Sequence, residues 1–317
     1  MGGICAAWAQ MVLWAGLAWQ SIVQLVGSHL FESGLVALAG AYFGAKTAQG
    51  TAARNKFRDD MTKEIRDTNA AITLSFAVCS SAMAMKRQHL RSLKETFDHD
   101  ESALLEYERK RKTGEIQGNV RYEQRFDLRF LQVPNPPTDK LQSHVLDRLS
   151  VVGRPLNLAV SISESAAALR EYTANRNDQI KSFRADKEPR DRAFMARYFG
   201  FPHDGEQDEI LATTINAMVL HADCVIYFTY LLCSDLKEHG DELLVKYKRR
   251  LGAREAPGIT EVDFSPARTD NMIPPDSEFA SWHTAFVKRP KRLSLGQRIF
   301  RVLRIKRAET SAQQKST

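Results

Sequence analysis

The run HDGEQDE, His203 to Glu209, sets one imidazole and four carboxylates close enough together to suggest a cation site. Its spacing is not that of an EF-hand loop. It also stands directly before an apolar helical pattern, where the positive end of a helix favours acids. We therefore read Asp208 as a helix cap. His221 and Asp223 offer an acid and a base two residues apart. On a helix that spacing turns the two side chains in different directions, so they do not form a catalytic dyad. Cys5, Cys79, Cys224 and Cys233 contain no CxxC pair and no zinc-like spacing. They read as free thiols, mostly in apolar surroundings, which suits a reducing compartment. The chain holds no HExxH and no GxSxG. The residues assign no catalytic group, no metal ligand and no cofactor.

The charge points to a different chemistry. The 317 residues carry a net +7, yet Lys288, Arg289, Lys291, Arg292, Arg298, Arg301, Arg304, Lys306 and Arg307 form one block with no acid in it. Without that block the rest of the chain stands at −2. On a helix, Leu295, Ile299, Val302 and Leu303 gather on one side and Arg301, Arg304 and Arg307 on the other. A basic amphipathic helix of this kind suits an anionic membrane surface. Nucleic acid is the alternative partner, because phosphate neutralisation needs the same charges. Phe300 is the only aromatic in the block that could stack on a base.

The elements that would position these groups start with an apolar N-terminal region. No Lys, Arg, Asp or Glu precedes Glu32. Ile4 to Val26 is long enough to cross a hydrocarbon core of about 30 Å. A second apolar piece, Leu30 to Ala45, is rich in small residues. Gly34, Gly40 and Gly44 lie in it, the last two as a GxxxG step that lets helices approach closely in lipid. GLVALAGAYFGAKTAQGTAARNKFR, Gly34 to Arg58, is not a phosphate loop, since it lacks both GxxxxGK[ST] and GxGxxG. Lys46, Arg54, Lys56 and Arg58 follow it, so the positive-inside rule places what comes after on the cytoplasmic side. One span or a helical hairpin both satisfy this pattern. The competing reading is a hydrophobic helix pair packed on a soluble body. The negative mean hydropathy excludes a polytopic membrane protein.

From Asp59 the pattern becomes helical. Ile65, Asn69, Ile72, Phe76, Cys79, Met83, Lys86, Leu90, Leu93 and Phe97 recur at steps of three and four, a coiled-coil-like seam. Asn69 and Lys86 are its polar interruptions, facing either a partner or ligand, or neighbours that fix the register. A second helix follows Pro155, with Leu158, Ile162, Leu169, Tyr172, Ile180 and Phe183 near one face. A third runs from about Asp208 to Leu236. It is apolar enough to rival a membrane span, but Asp223 at its middle would cost about 2.5–3.5 kcal/mol in a bilayer. It therefore reads as the central helix of the body. Glu238 to Leu251 either continues it or folds back. FDLRFLQV, Phe126 to Val133, alternates like a strand but is stopped by PNPPTD. With no partner strand it reads as an extended segment laid over helices. Asp139 to Leu149 reads as a short amphipathic helix.

These readings divide the chain into a membrane-anchoring part (1–50), a helical body (51–255), an irregular linker (256–287) and a basic tail (288–317). The fold class is mainly α: a membrane helix or helical hairpin, then an antiparallel bundle of long helices. GAYFGAKTAQ (Gly40 to Gln49), EIRDTNAAI (Glu64 to Ile72), KRQH (Lys86 to His89) and RNDQIKSF (Arg176 to Phe183) together resemble a set of uncharacterised bacterial membrane-anchored helical proteins. The resemblance spans residues 30–250. It implies a bacterial inner membrane and a cytoplasmic body, and it carries no catalytic residue over to this chain. The expected mode of action is binding, as a scaffold, sensor or regulatory partner. The expected partners are the lipid bilayer and a protein or second copy of the chain, met through the long helices. Nucleic-acid binding through the tail is the first alternative, and an enzyme with an unrecognised site is the second.

Overall fold

The computed structural model describes Gln20 and residues 29–116, 126–185, 192–253 and 256–284. Apart from Gln20, the first apolar segment lies outside them, as does the whole basic tail. The protein is mainly helical, and no strand occurs among the described residues. Helix α1, His29–Met85, passes through a π-turn, Lys86–Leu90, into α2, Arg91–Lys112. Helix α3 is Thr138–Arg148, α4 is Arg154–Ala185 and α5 is Arg192–Phe199. Helix α6, Ile210–Leu251, is followed by α7 (Ser265–Thr269), a 3₁₀ turn (Asp276–Phe279) and α8 (Ala280–Thr284).

Helix α6 is the centre. Its contacts with α1 run in reverse order: Leu243 and Tyr247 meet Ile65, Ile226 lies beside Cys79, and Met218 and Ala222 meet Met85 and Leu90. Helix α4 pairs with α6 in the same reversed sense, from Leu158 and Ile162 against the Val225–Leu236 region to Ile180 and Phe183 against Leu211 and Ile215. Both long neighbours are therefore antiparallel to α6. Its apolar face is wide and is covered from two sides.

The α1–α6 approach uses small residues. Ala71, Ser75, Val78, Cys79 and Ala82 are buried along it. The buried hydroxyls of Ser75 and Thr229 donate to the carbonyls of Ala71 and Val225 one turn back, so close contact leaves them satisfied. The seam read from sequence is therefore corrected at one position. Phe76 stays 40% exposed, edge-on to Phe264 at 6.1 Å, and Ser75 takes the buried place. A phenylalanine between these two helices would hold them too far apart.

Glu238 to Leu251 continues α6 without a break, and Gly252 at φ 96° ends it. Gly240 lets the following chain close on the helix, since a Cβ there would stand 3.0 Å from Ile259. The region 256–284, expected as a linker, lies against α1 and α6, with Phe264, Met272 and Phe279 buried.

Two of the described helices are long and apolar enough to cross a membrane: Gly40–Lys112 through the π-turn, and α6. In α6, 56% of the most apolar stretch is buried against the rest of the protein. In Gly40–Lys112 the corresponding share is 44%, so that apolar stretch also lies in the packed part of the helix and not in its exposed beginning. Every residue from Gly40 to Lys56 is exposed, including Tyr42 and Phe43.

Candidate functional site

The expected site residues fall in three places. Gly34 lies within α1. Gly40 and Gly44 lie on its exposed part, and a Cβ at either would meet nothing within 4 Å. Leu38, Tyr42 and Phe43 stand 64–70% exposed beside them. This helix stretch offers an apolar, small-residue surface that the body does not cover. The tail cations, Lys288 to Arg307, lie outside the described residues.

Asn69 and Lys86 both turn inward, and both grip the chain after α6. The Asn69 amide donates from Nδ2 to the Gly258 carbonyl at 2.9 Å and accepts the Thr260 N–H on Oδ1 at 2.8 Å. That pair of bonds imitates a neighbouring backbone and holds 258–260 along α1. Lys86 opens the π-turn and forms an ion pair with Asp223 of α6, both side chains less than a fifth exposed. Its ammonium also donates to the Met272 carbonyl at 3.3 Å. Burial pushes the Asp223 carboxyl upward, while Lys86 and Arg91 pull it back. Arg91 donates to the carbonyls of Asp270 and Asn271 at 3.1 and 3.3 Å, and Arg87 pairs with the Asp270 carboxylate at 2.8 Å. The extra residue of a π-turn rotates the helix. Met85 and Leu90 on either side of the turn both remain buried, and the three cations reach one partner segment.

A second cluster links α6 to the 3₁₀ turn. The Tyr227 hydroxyl donates to Asp276 at 2.8 Å and contacts His283 Nε2. Its ring stacks on Phe279 at 3.9 Å. Burial and then the Asp276 carboxylate raise the phenol pKa, so it remains protonated. This is a latch, with no activated oxygen. The thiols behave alike: burial raises Cys79 to about 11 and Cys233 to about 12. His221 stacks on Tyr172 at 5.4 Å, its pKa lowered by burial. Asp223 faces Lys86 instead, as their separation on the helix predicts. The HDGEQDE loop is a tight turn in which His203 and Glu206 exchange backbone bonds. Asp208 accepts the N–H of Ile210, the first residue of α6. Among the described residues no three His, Cys, Asp or Glu side chains converge as a metal site.

A third polar group ties α1, α6 and the loop before α4. Glu64 Oε1 accepts the Ser150 N–H at 2.8 Å and hydroxyl at 2.5 Å, and lies 3.2 Å from His239 Nε2. Burial acts to raise the Glu64 pKa, but the two Ser150 bonds and His239 outweigh it and hold the carboxyl below 4.5. A depressed folded pKa means that this contribution is complete above about pH 4.5 and is lost as pH falls through the folded value. Glu64→Gln should therefore flatten the acid limb of a stability-against-pH curve. At neutral pH it should cost about 1 kcal/mol. Urea unfolding midpoints between pH 3 and 7 measure both.

Lys86 and Asp223 each stand out in the sequence, but they are 137 positions apart and nothing local joins them. Tyr227, Asp276 and His283 carry no signal in the sequence and form a cluster only when the chain folds. Comparison with protein-family models, with characterised proteins and with solved structures yields no match.

Proposed function

We propose that this chain is a membrane-anchored helical bundle that acts by binding, with its body on the cytoplasmic side of a bacterial inner membrane. The observation that supports this most is the continuity of α1. One helix of 57 residues runs from a stretch with exposed leucine, tyrosine and phenylalanine into the packed core. At 1.5 Å per residue, the part before Phe57 projects about 40 Å beyond the body. A soluble protein has little reason to hold such a helix in water, whereas a bilayer covers its apolar surface. Lys46, Arg54, Lys56 and Arg58 on the body side agree with the orientation. The polar clusters fasten the body together and carry no activated nucleophile, which favours binding over catalysis. The Gly40–Gly44 step, with Gly34 in the same apolar stretch, fits a second helix in the membrane, from the same chain or another copy. In this reading the tail docks on the same anionic surface as the body.

Fractionation tests the reading. The full chain should sediment with membranes and resist carbonate extraction, while a variant beginning at Thr51 should remain in the soluble fraction. A full chain that is wholly soluble would end the proposal.

A further inference from the structure

We infer that a cleft between α1 and the end of α6 holds the headgroup of an anionic phospholipid. The cleft has a volume of about 600 Å³, with Thr47, Thr51, Arg54 and Arg58 on one wall and Tyr247 and Leu251 on the other. Two chain segments far apart in sequence meet here. Residues 46–58 contain Lys46, Arg54, Lys56 and Arg58, and residues 243–251 contain Lys246, Lys248, Arg249 and Arg250. Neither segment contains an acid, and the neighbouring Asp59 stands 3.8 Å from Arg58 Nε, leaving the two outer nitrogens of that guanidinium for a ligand. All eight cations are exposed. The Arg250 guanidinium lies 4.2 Å over the Phe57 ring, which brings the last turn of α6 onto α1. Eight positive charges are thus gathered at the one end of the body from which the apolar helix emerges.

The occupant follows from position. The assignment rests on the proposal that Leu30 to Ala45 lies in the bilayer. Thr47 is one helical turn below Phe43, about 6 Å along the axis. The headgroup layer on each side of the hydrocarbon is about 5–7 Å deep, so the rim of the cleft stands at phosphate level. Arg54 lies about 10 Å further down. Helical side chains lean toward the N-terminus, so its long side chain and that of Arg58 reach back toward the rim. The guanidinium fork matches two phosphate oxygens at once. Threonines and Gly50 at the rim leave room for a headgroup to enter.

The test uses the full chain with all nine cations of the tail block, Lys288 to Arg307, replaced by glutamine, so that the tail does not mask the cleft. It is reconstituted in phosphatidylcholine vesicles containing trace spin-labelled phosphatidylglycerol or phosphatidylcholine. Electron paramagnetic resonance reads the motionally restricted fraction of each. The expected result is selection of phosphatidylglycerol, falling by a factor of roughly five for each arginine lost and vanishing in R54Q/R58Q. R54K/R58K should keep most of the selection and serves as the folding control, with circular dichroism alongside. Equal restriction of both lipids, or selection unchanged in R54Q/R58Q, overturns the inference while leaving the anchor intact. Selection abolished by millimolar glycerol phosphate at constant ionic strength assigns the cleft to a soluble phosphate and also overturns it. A protein that does not enter the vesicles overturns the anchor, and this inference with it.

Discussion

Lys86→Met alone is expected to lower the unfolding free energy by about 3 kcal/mol. The reason is the carboxylate left behind. Asp223 lies within the helical body with its side chain 18% exposed, and Lys86 is its ion-pair partner. Removing the ammonium leaves that charge with little water and no counter-ion nearer than Arg91. Pairing in such a site does not by itself make a protein more stable than an apolar substitute would. Lys86→Met combined with Asp223→Leu should therefore recover most of the loss. What remains, about 1 kcal/mol, comes from the Met272 carbonyl, which loses the Lys86 donor. Equilibrium unfolding of the four members of this cycle gives the coupling energy directly. Equal losses in the single and double variants would show that Lys86 serves the body through Met272 and not through Asp223.

Arg176→Leu should cost about 3 kcal/mol and release one segment before the rest of the protein unfolds. Arg176 is fully buried on α4. Its guanidinium donates to the carbonyl of Arg129 at 2.7 Å and of Asp127 at 3.3 Å. Beside it, Asn177 accepts the Leu131 N–H at 2.9 Å and donates back to the Leu131 carbonyl at 2.7 Å. Four bonds from two adjacent residues thus hold 127–131 on the helix in the absence of a partner strand. Burial lowers the Arg176 pKa, yet the nearby Asp127 opposes this and the group remains a cation. Leucine fills space but leaves the Arg129 carbonyl without its donor and the Asp127 carbonyl with only the Tyr198 hydroxyl at 3.5 Å. Arg176→Lys keeps the charge and loses the fork, so it should be intermediate. Trypsin provides a local readout, because Arg129 is exposed in this segment. Cleavage there should quicken in the leucine variant well below its unfolding midpoint. Unchanged cleavage together with lowered global stability would show that the segment is held by Phe126 and its aromatic neighbours instead.

Both predictions turn on residues that were visible in the sequence, but visible in different degrees. Lys86 was legible as a polar break in an apolar seam, and Asp223 as an acid that denies α6 a place in the bilayer. Nothing in their local surroundings says that they meet. Arg176 sits in RNDQIKSF as one charged residue among several, with an exposed Glu171 and Asp178 on the same helix. Its burial follows only from the segment laid across it. The extended character of FDLRFLQV was legible because alternation and the prolines that follow are local signals. The register of α1 was legible to within one position, failing where Ser75 is buried and Phe76 is not. Period alone does not say how closely the neighbouring helix comes.

The sequence by itself determined that this protein is built from long helices, that its N-terminal part is apolar with small residues, and that its cations are unevenly placed. Those properties follow from spacing and charge along a few turns, where each residue's helical neighbours are set by the 3.6-residue period. The tertiary structure decided which faces meet. It joined Lys86 to Asp223, folded 256–284 back onto the body through Asn69 and Tyr227, and brought residues 46–58 and 243–251 together around one cleft. These contacts depend on segments 49 to 191 positions apart lying at one depth and one rotation. Burial energy selects that arrangement for the assembled core as a whole, and no single stretch of chain encodes it.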